Sequence, residues 1–376
     1  MKTKAVLYFR WFLFFLAIIN IVLYLLSCLT PYISPATFSV YTFLSLGFPL
    51  LLVSMLFWVI VSAIFYRKPL LFLLIIILLG YKNISTTIGF HYHKKFVQSR
   101  AKGTIRLLSW NVNALPHSEE MSDTLNYQRR ETLLFIQKTN ADVLCFQDFE
   151  NYNGPKYLPN VAVICRLGYP YYYFPIDYRD TSPTLERQYG SAIFSRYPII
   201  NTGRVFYKQK HFPESLIYAD IKINNDTVRF YSTHLRSMLL SVYTKDRDED
   251  YRLPQDDTAV IFHTGIMGKL KYFDTFHVTQ ALIVKKTLDT TSKPLVFCAD
   301  LNSVPSSFVY HHVSKGLQDA FLQNGFGWGA TYENISPTLR IDVVLMNKYI
   351  QSTQYYSPKV FYSDHFPIIT DLSIKN

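Results

Sequence analysis

The stretch Pro294-Leu-Val-Phe-Cys-Ala-Asp-Leu-Asn-Ser-Val-Pro305 decides how the rest of the chain reads. Leu295 to Ala299 is an unbroken apolar run of strand length, which predicts a buried strand. It stops at Asp300-Leu-Asn302, and Pro305 bars its continuation. Residues two apart on a strand point the same way, so Asp300 and Asn302 are expected to leave its end together. A carboxylate there can orient or deprotonate a water, and an amide can donate to a phosphate oxygen. The same tripeptide can also close a strand as a plain Asx turn.

Similar endings recur through the second part of the chain. Ile105 to Trp110 reads as a strand that runs into Asn111-Val-Asn113, two amides expected on one face. A helix capped by Ser122 and ending near Asn140 leads to a second apolar strand, Asp142 to Gln147, closed by Asp148. Strand, helix and strand in that order predict a crossover with parallel pairing. Tyr189 to Arg196 is another buried strand, and Asn224-Asn225-Asp226 turns a hairpin whose second arm meets His234. Residues 236–257 are charge-rich and read as an exposed loop, and Thr258 to Leu288 has a helical pattern with possible breaks at Gly265 or Gly268. Arg340-Ile-Asp342 and Ser363-Asp364-His365 complete the series. Polar residues gathered at strand ends suggest two packed sheets with helices outside and a site where those ends meet.

The first hundred residues are of another kind. They hold nine Lys or Arg and no Asp or Glu; the remaining 29 basic residues nearly balance 27 acidic ones. The overall charge of +11 is therefore no sign of a nucleic-acid-binding face. Apolar runs over about 5–28, 40–66 and 70–90 predict two or three membrane spans, a span needing roughly 20 apolar residues. This divides the chain into a membrane region (1–92), a polar linker (93–103) and a soluble domain (104–376). Lys2, Lys4 and Arg10, then Arg67 and Lys68, favour an inside N-terminus, and three spans would put the soluble domain on the extracytoplasmic side of a plasma (inner) membrane. Lys94, Lys95, Arg100 and Lys102 pull the other way. Cys28, Cys145, Cys165 and Cys298 have no paired spacing and read as free thiols.

In order, Ser-Trp-Asn111-Val-Asn113, Phe-Gln147-Asp148, the Tyr189–Arg196 strand, Ser-Thr-His234-Leu, Ala-Asp300-Leu-Asn302, Arg-Ile-Asp342 and Ser-Asp364-His365-Phe-Pro resemble the metal-dependent endonuclease/exonuclease/phosphatase superfamily. The resemblance covers nearly all of the soluble part. It implies a four-layer α/β/β/α sandwich, here preceded by two or three transmembrane helices, and hydrolysis of a phosphoester with Mg²⁺, or Mn²⁺ in its place. It also implies roles. Asn111, Asp148 and Asp364 would serve the metal, with Asn113 accessory. Asp300 would activate water, Asn302 and His234 would hold the phosphate, and His365 would act on it with Asp342 fixing its tautomer. The family's Glu after the Gln is Asp148 here, one methylene shorter, and Glu150 is the possible substitute. A tether in the bilayer suggests a phospholipid or sphingolipid-type phosphodiester as substrate. A nuclease acting on DNA or RNA, and a membrane scaffold of the same fold with impaired catalysis, are the alternatives. Oligomeric state is not legible.

Overall fold

The computed structural model describes residues 2–65, 67–92, 96–115, 123–154, 158–181, 185–207, 214–237, 266–333 and 336–375. Ser122, Lys94, Lys95 and most of the 236–265 stretch lie outside them.

Helices α1 (Lys2–Ser27) and α2 (Val40–Phe65) are each long and apolar enough to cross a membrane. Their outer faces leave Phe14, Leu50 and Phe57 more than half exposed, a surface that suits lipid and not water. The third run differs from a continuous span. It forms α3 (Leu70–Leu79) and α4 (Tyr81–Thr87), bent by 63° at Gly80. At Gly80 an added Cβ would lie 2.0 Å from the Tyr24 hydroxyl oxygen, so the bend sits tight against Tyr24 of α1. A short pair, β1 (Gly89–Phe90) with β12 (Phe326–Gly327), then ties this region to the rest of the chain.

The soluble part contains two sheets. The first comprises β2 (Ile105–Ala114), β3 (Val143–Asn153), β4 (Tyr171–Tyr173), β5 (Tyr178–Thr181), β6 (Glu186–Ser195), β14 (Ile350–Tyr356) and β15 (Ile368–Ile374), in the order β14-β15-β2-β3-β6-β4 with β5 beside β6. The second runs β11-β13-β10-β9-β8-β7, from β7 (Ile199–Phe206), β8 (Ser215–Ile223), β9 (Asp226–His234), β10 (Leu295–Asp300), β11 (Gln318–Asp319) and β13 (Asp342–Met346). As the crossover reading requires, β2 and β3 pair in parallel through α5 (Asp123–Thr139).

Alternation explains the layers. On β10, Val296 and Cys298 enter the core between the sheets, while Leu295, Phe297 and Ala299 face the outer core. Helices α7 (Ile266–Asp289) and α8 (Phe308–Val313) cover that outer face through Val284, Leu288, Val309 and Val313. On β3, Val143 and Cys145 point inward, and Leu144 and Phe146 meet Ile136 of α5 and Ile164 of α6 (Asn160–Arg166). The result is the four-layer α/β/β/α sandwich, and a strand covered on both faces is apolar at every position. Gly268 lies within α7 and does not break it. All four cysteines are free.

The described part of the segment before β2 packs against the domain. Val97 exchanges hydrogen bonds with the Gln354 side chain, the Phe96 ring stacks on Tyr356, and Arg100 pairs with Asp142.

Candidate active site

The C-terminal ends of β2, β9 and β10 and the N-terminal end of β13 meet at one rim. Asp300 and His234 are register partners on parallel β10 and β9, and Asp300 faces Asp342 across antiparallel β13. Parallel pairing on one side of β10 and antiparallel pairing on the other thus deliver three ionisable groups side by side from distant parts of the chain.

Asp300 is fully buried and is the hub. Its Oδ2 accepts from Asn111 Nδ2 at 3.0 Å and lies 3.6 Å from His234 Nε2 and 3.7 Å from His365 Nε2. Its Oδ1 accepts from the Asn302 backbone N–H at 2.8 Å, with Asn302 at φ 45°. The Asx turn and the site are therefore the same object: the turn is how Asn302 is brought beside Asp300. The Asn302 amide nitrogen donates to the Leu235 carbonyl at 2.8 Å and lies 3.0 Å from His234 Nε2.

His365 bridges two carboxylates. Its Nδ1 is 3.1 Å from Asp342 Oδ2, and its Nε2 faces Asp300. Burial alone would lower the imidazole, but the Asp342 and Asp300 charges overcome this and push it up to about 10. Ligand atoms of Asp300, Asp342 and His365 all lie within 4.8 Å of one another, close enough to share a cation. The Trp110 indole N–H donates to the His365 carbonyl at 2.9 Å, and Thr331 Oγ1 accepts from the Asp342 backbone N–H at 3.0 Å; these bonds fix both segments. Arg340 does not pair with Asp342. Its partner is Asp319, at 2.6 Å.

Asn111 and Asn113 do not share a face. The β2–β3 register shifts between Asn111 and Ala114, and Asn113 adopts φ 44°. Asn111 is buried, Asn113 is exposed, and the Asn113 backbone N–H donates to Asn111 Oδ1 at 3.1 Å. A matching irregularity falls on β3 between Phe146 and Phe149, with Asp148 at φ 50°. Asp148 is half-buried, and its charge is felt at His234, Asp364 and Glu150. Glu150 Oε2 accepts from Tyr152 Oη at 2.7 Å, while its Oε1, 3.9 Å from Arg187 Nε, is buried with no hydrogen-bond partner among the described residues. Burial raises the Asp364 carboxyl, His365 beside it lowers it, and Asp148 and Asp300 raise it further. Asp364 Oδ1 is buried with no hydrogen-bond partner among the described residues.

These observations fit a hard divalent cation. Oxygen donors dominate, several carboxylates repel one another, and Asp364 Oδ1 is among the buried carboxylate oxygens without a partner among the described residues. Among the described residues, Asp300, Asp342 and His365 are the acidic and imidazole groups whose ligand atoms lie close enough together to hold one.

Two supports escaped the sequence reading. Glu214 Oε1 lies 3.8 Å from His234 Nδ1, and its Oε2 accepts from Gln280 Nε2 at 2.8 Å. A lone acid just before a strand carries no local signal. Gln147, fully buried, donates to Ser232 Oγ across the two sheets at 3.0 Å. Ser232→Ala is expected to destabilise the protein by about 1–3 kcal/mol by leaving that amide short of a partner. A thermal melt in detergent checks this, and an unchanged midpoint would mean that Gln147 re-pairs with Ser109 or the Cys145 carbonyl.

Residues 10–87 match a domain of unknown function, DUF8431. No curated protein matches the chain. Among solved structures, an endonuclease/exonuclease/phosphatase from Beutenbergia cavernae is 17% identical, with a TM-score of 0.50, covering 73% of this chain and 72% of its own. The human Nocturnin catalytic domain with bound sulfate is 16% identical, also at 0.50, covering 76% and 98%. At these identities the likeness speaks for the fold. Residues 108–365 match the Endonuclease/Exonuclease/phosphatase family itself. With most of its length inside that match, the chain belongs to this family of metal-dependent phosphoester hydrolases.

Proposed function

We propose that the protein is a membrane-anchored, Mg²⁺-dependent phosphodiesterase acting on a lipid-type phosphodiester, with residues 1–92 as anchor and 104–376 as catalytic domain on the extracytoplasmic side. One observation carries the choice of substrate. The turn that follows Asn302 touches the ends of the apolar helices: the Thr30 hydroxyl donates to the Ser306 carbonyl, and Ser306 Oγ donates to the Ser45 carbonyl at 2.8 Å. A rim held at the ends of lipid-facing helices lies near headgroups. The near-neutral charge of the soluble part gives duplex nucleic acid little electrostatic purchase.

Asn111, Asp148 and Asp364 would hold the ion, which when bound supplies charge to offset that building on the phosphoryl oxygens. Asp300 takes the proton of the attacking water, aimed by its bonds to Asn111 and Asn302. His365, kept protonated by Asp342 and Asp300, gives its Nε2 proton to the departing oxygen. His234 steadies the phosphoryl oxygens from the other side, backed by Glu214 and Asn302.

The test is the full chain in vesicles, supplied with Mg²⁺ and offered sphingomyelin, phosphatidylcholine or single-stranded DNA. Mg²⁺-dependent cleavage of a lipid is expected; cleavage of DNA alone would transfer the reading to a nuclease. Asp148→Asn, which tolerates the left-handed backbone, is expected to weaken Mg²⁺ binding about tenfold or more by calorimetry. Wild-type protein that takes up no Mg²⁺ would favour the scaffold.

A further inference from the structure

We propose that the ends of the membrane helices are a positioning part of the catalytic centre, and that Thr30 and Leu46 hold the two loops bearing Asn302 and Asp342. This rests on the catalytic roles given above to those loops.

The seam is polar, buried and bonded. Thr30, Ser45, Asn83 and Ser306 are each at most 3% exposed. Beyond the two bonds to Ser306, Thr86 Oγ1 donates to the Pro305 carbonyl at 3.2 Å, and Asn83 Nδ2 donates to the Ser27 carbonyl at 2.7 Å. Buried polar groups are costly unless paired, so such a seam fits a fixed joint better than a tether. The second loop is held the same way. Arg340 donates to the Thr86 carbonyl at 2.6 Å while its other arm pairs with Asp319. Between the loops lies an apolar patch of Val304, Leu339 and Ile341, closed by Leu46 of α2. The Leu301 N–H donates to the Ile341 carbonyl at 2.9 Å, so the two loops move as a pair. Asn302 and Asp342 are thus each one residue from a backbone group in that pair. Thr42 of α2 adds a 2.7 Å hydrogen bond to Asp274 on α7.

The consequence is that a change in α2 reaches the catalytic loops without touching substrate. The full-length protein in lipid nanodiscs tests this with Thr30→Val and Leu46→Ala, and with Thr30→Ser and Leu46→Met as conservative controls. Amide hydrogen exchange over 301–307 and 339–342 is expected to quicken about fivefold in the first two, with the β8–β9 hairpin unchanged. On a soluble chromogenic phosphodiester, kcat is expected to fall about tenfold, because small misplacements of reacting groups are costly. KM should stay within about twofold, and the conservative variants should restore both readouts. Unaltered exchange in those loops in both variants overturns the proposal, as does faster exchange with kcat intact. The exchange readout stands even if the diester is not turned over, which separates failure of this joint from failure of the hydrolase reading.

Discussion

Asp300→Asn is expected to lower kcat by about a thousandfold, within the 10²–10⁴ range of a lost general base. The substitution keeps the side chain's shape and burial. Of the bonds Asp300 makes, an amide can keep only one as acceptor, since its nitrogen must face either Asn111 or the Asn302 N–H. The negative charge that faces His234 and His365 disappears at the same time. Both imidazoles then lose a carboxylate that favours their protonated form, so the base and the support of the acid fail together. The measurement is kcat at saturating Mg²⁺ on a soluble diester, so that weaker metal binding is not counted as lost chemistry. A decline of less than about tenfold would remove Asp300 from the role of base.

Much of this site was legible because it is built at strand ends. A strand covered on both faces shows as an uninterrupted apolar run, and its polar terminus stands out against that run. Leu295 to Asn302 is such a case, and so is the approach to His234. Backbone irregularity was harder to read. Period-two reasoning put Asn111 and Asn113 on one face, but both β2 and β3 depart from it where they meet the site, with left-handed residues at Asn113 and Asp148. Asn and Asp adopt that conformation more readily than most residues, so the residue types permitted the bulges without announcing them. Partners distant in sequence were hidden for another reason. Arg340 is two residues from Asp342 but lies before β13 begins, outside its regular alternation, and bonds to Asp319. Glu214 reaches His234 only through the pairing of β8 with β9. The bend at Gly80 shows the same limit: hydropathy reports total apolar length, while the direction of the chain depends on what it packs against.

Asp342→Asn separates the two chemistries that Asp300, Asp342 and His365 could perform together. If Asp342 orients His365, its carboxylate accepts the Nδ1 proton and leaves Nε2 to face Asp300 and the phosphate. An amide in its place can present its own N–H to Nδ1, which stabilises the wrong tautomer and takes away the charge that keeps the ring protonated. The expected result is a fall in kcat of about 10²–10⁴ with Mg²⁺ affinity nearly unchanged. If instead Asp342 is a ligand, the calorimetric dissociation constant for Mg²⁺ should rise about tenfold or more, and part of the lost rate should return at high Mg²⁺. Geometry favours the first outcome. Asp342 is spent on His365 from one side, and the Thr331 hydroxyl fixes its backbone from the other, whereas Asp364 has a buried oxygen with no hydrogen-bond partner among the described residues. A carboxylate already paired to an imidazole gains less from a cation than an unpaired one does, so the ion is expected toward Asn111, Asp148 and Asp364 and the proton toward His365.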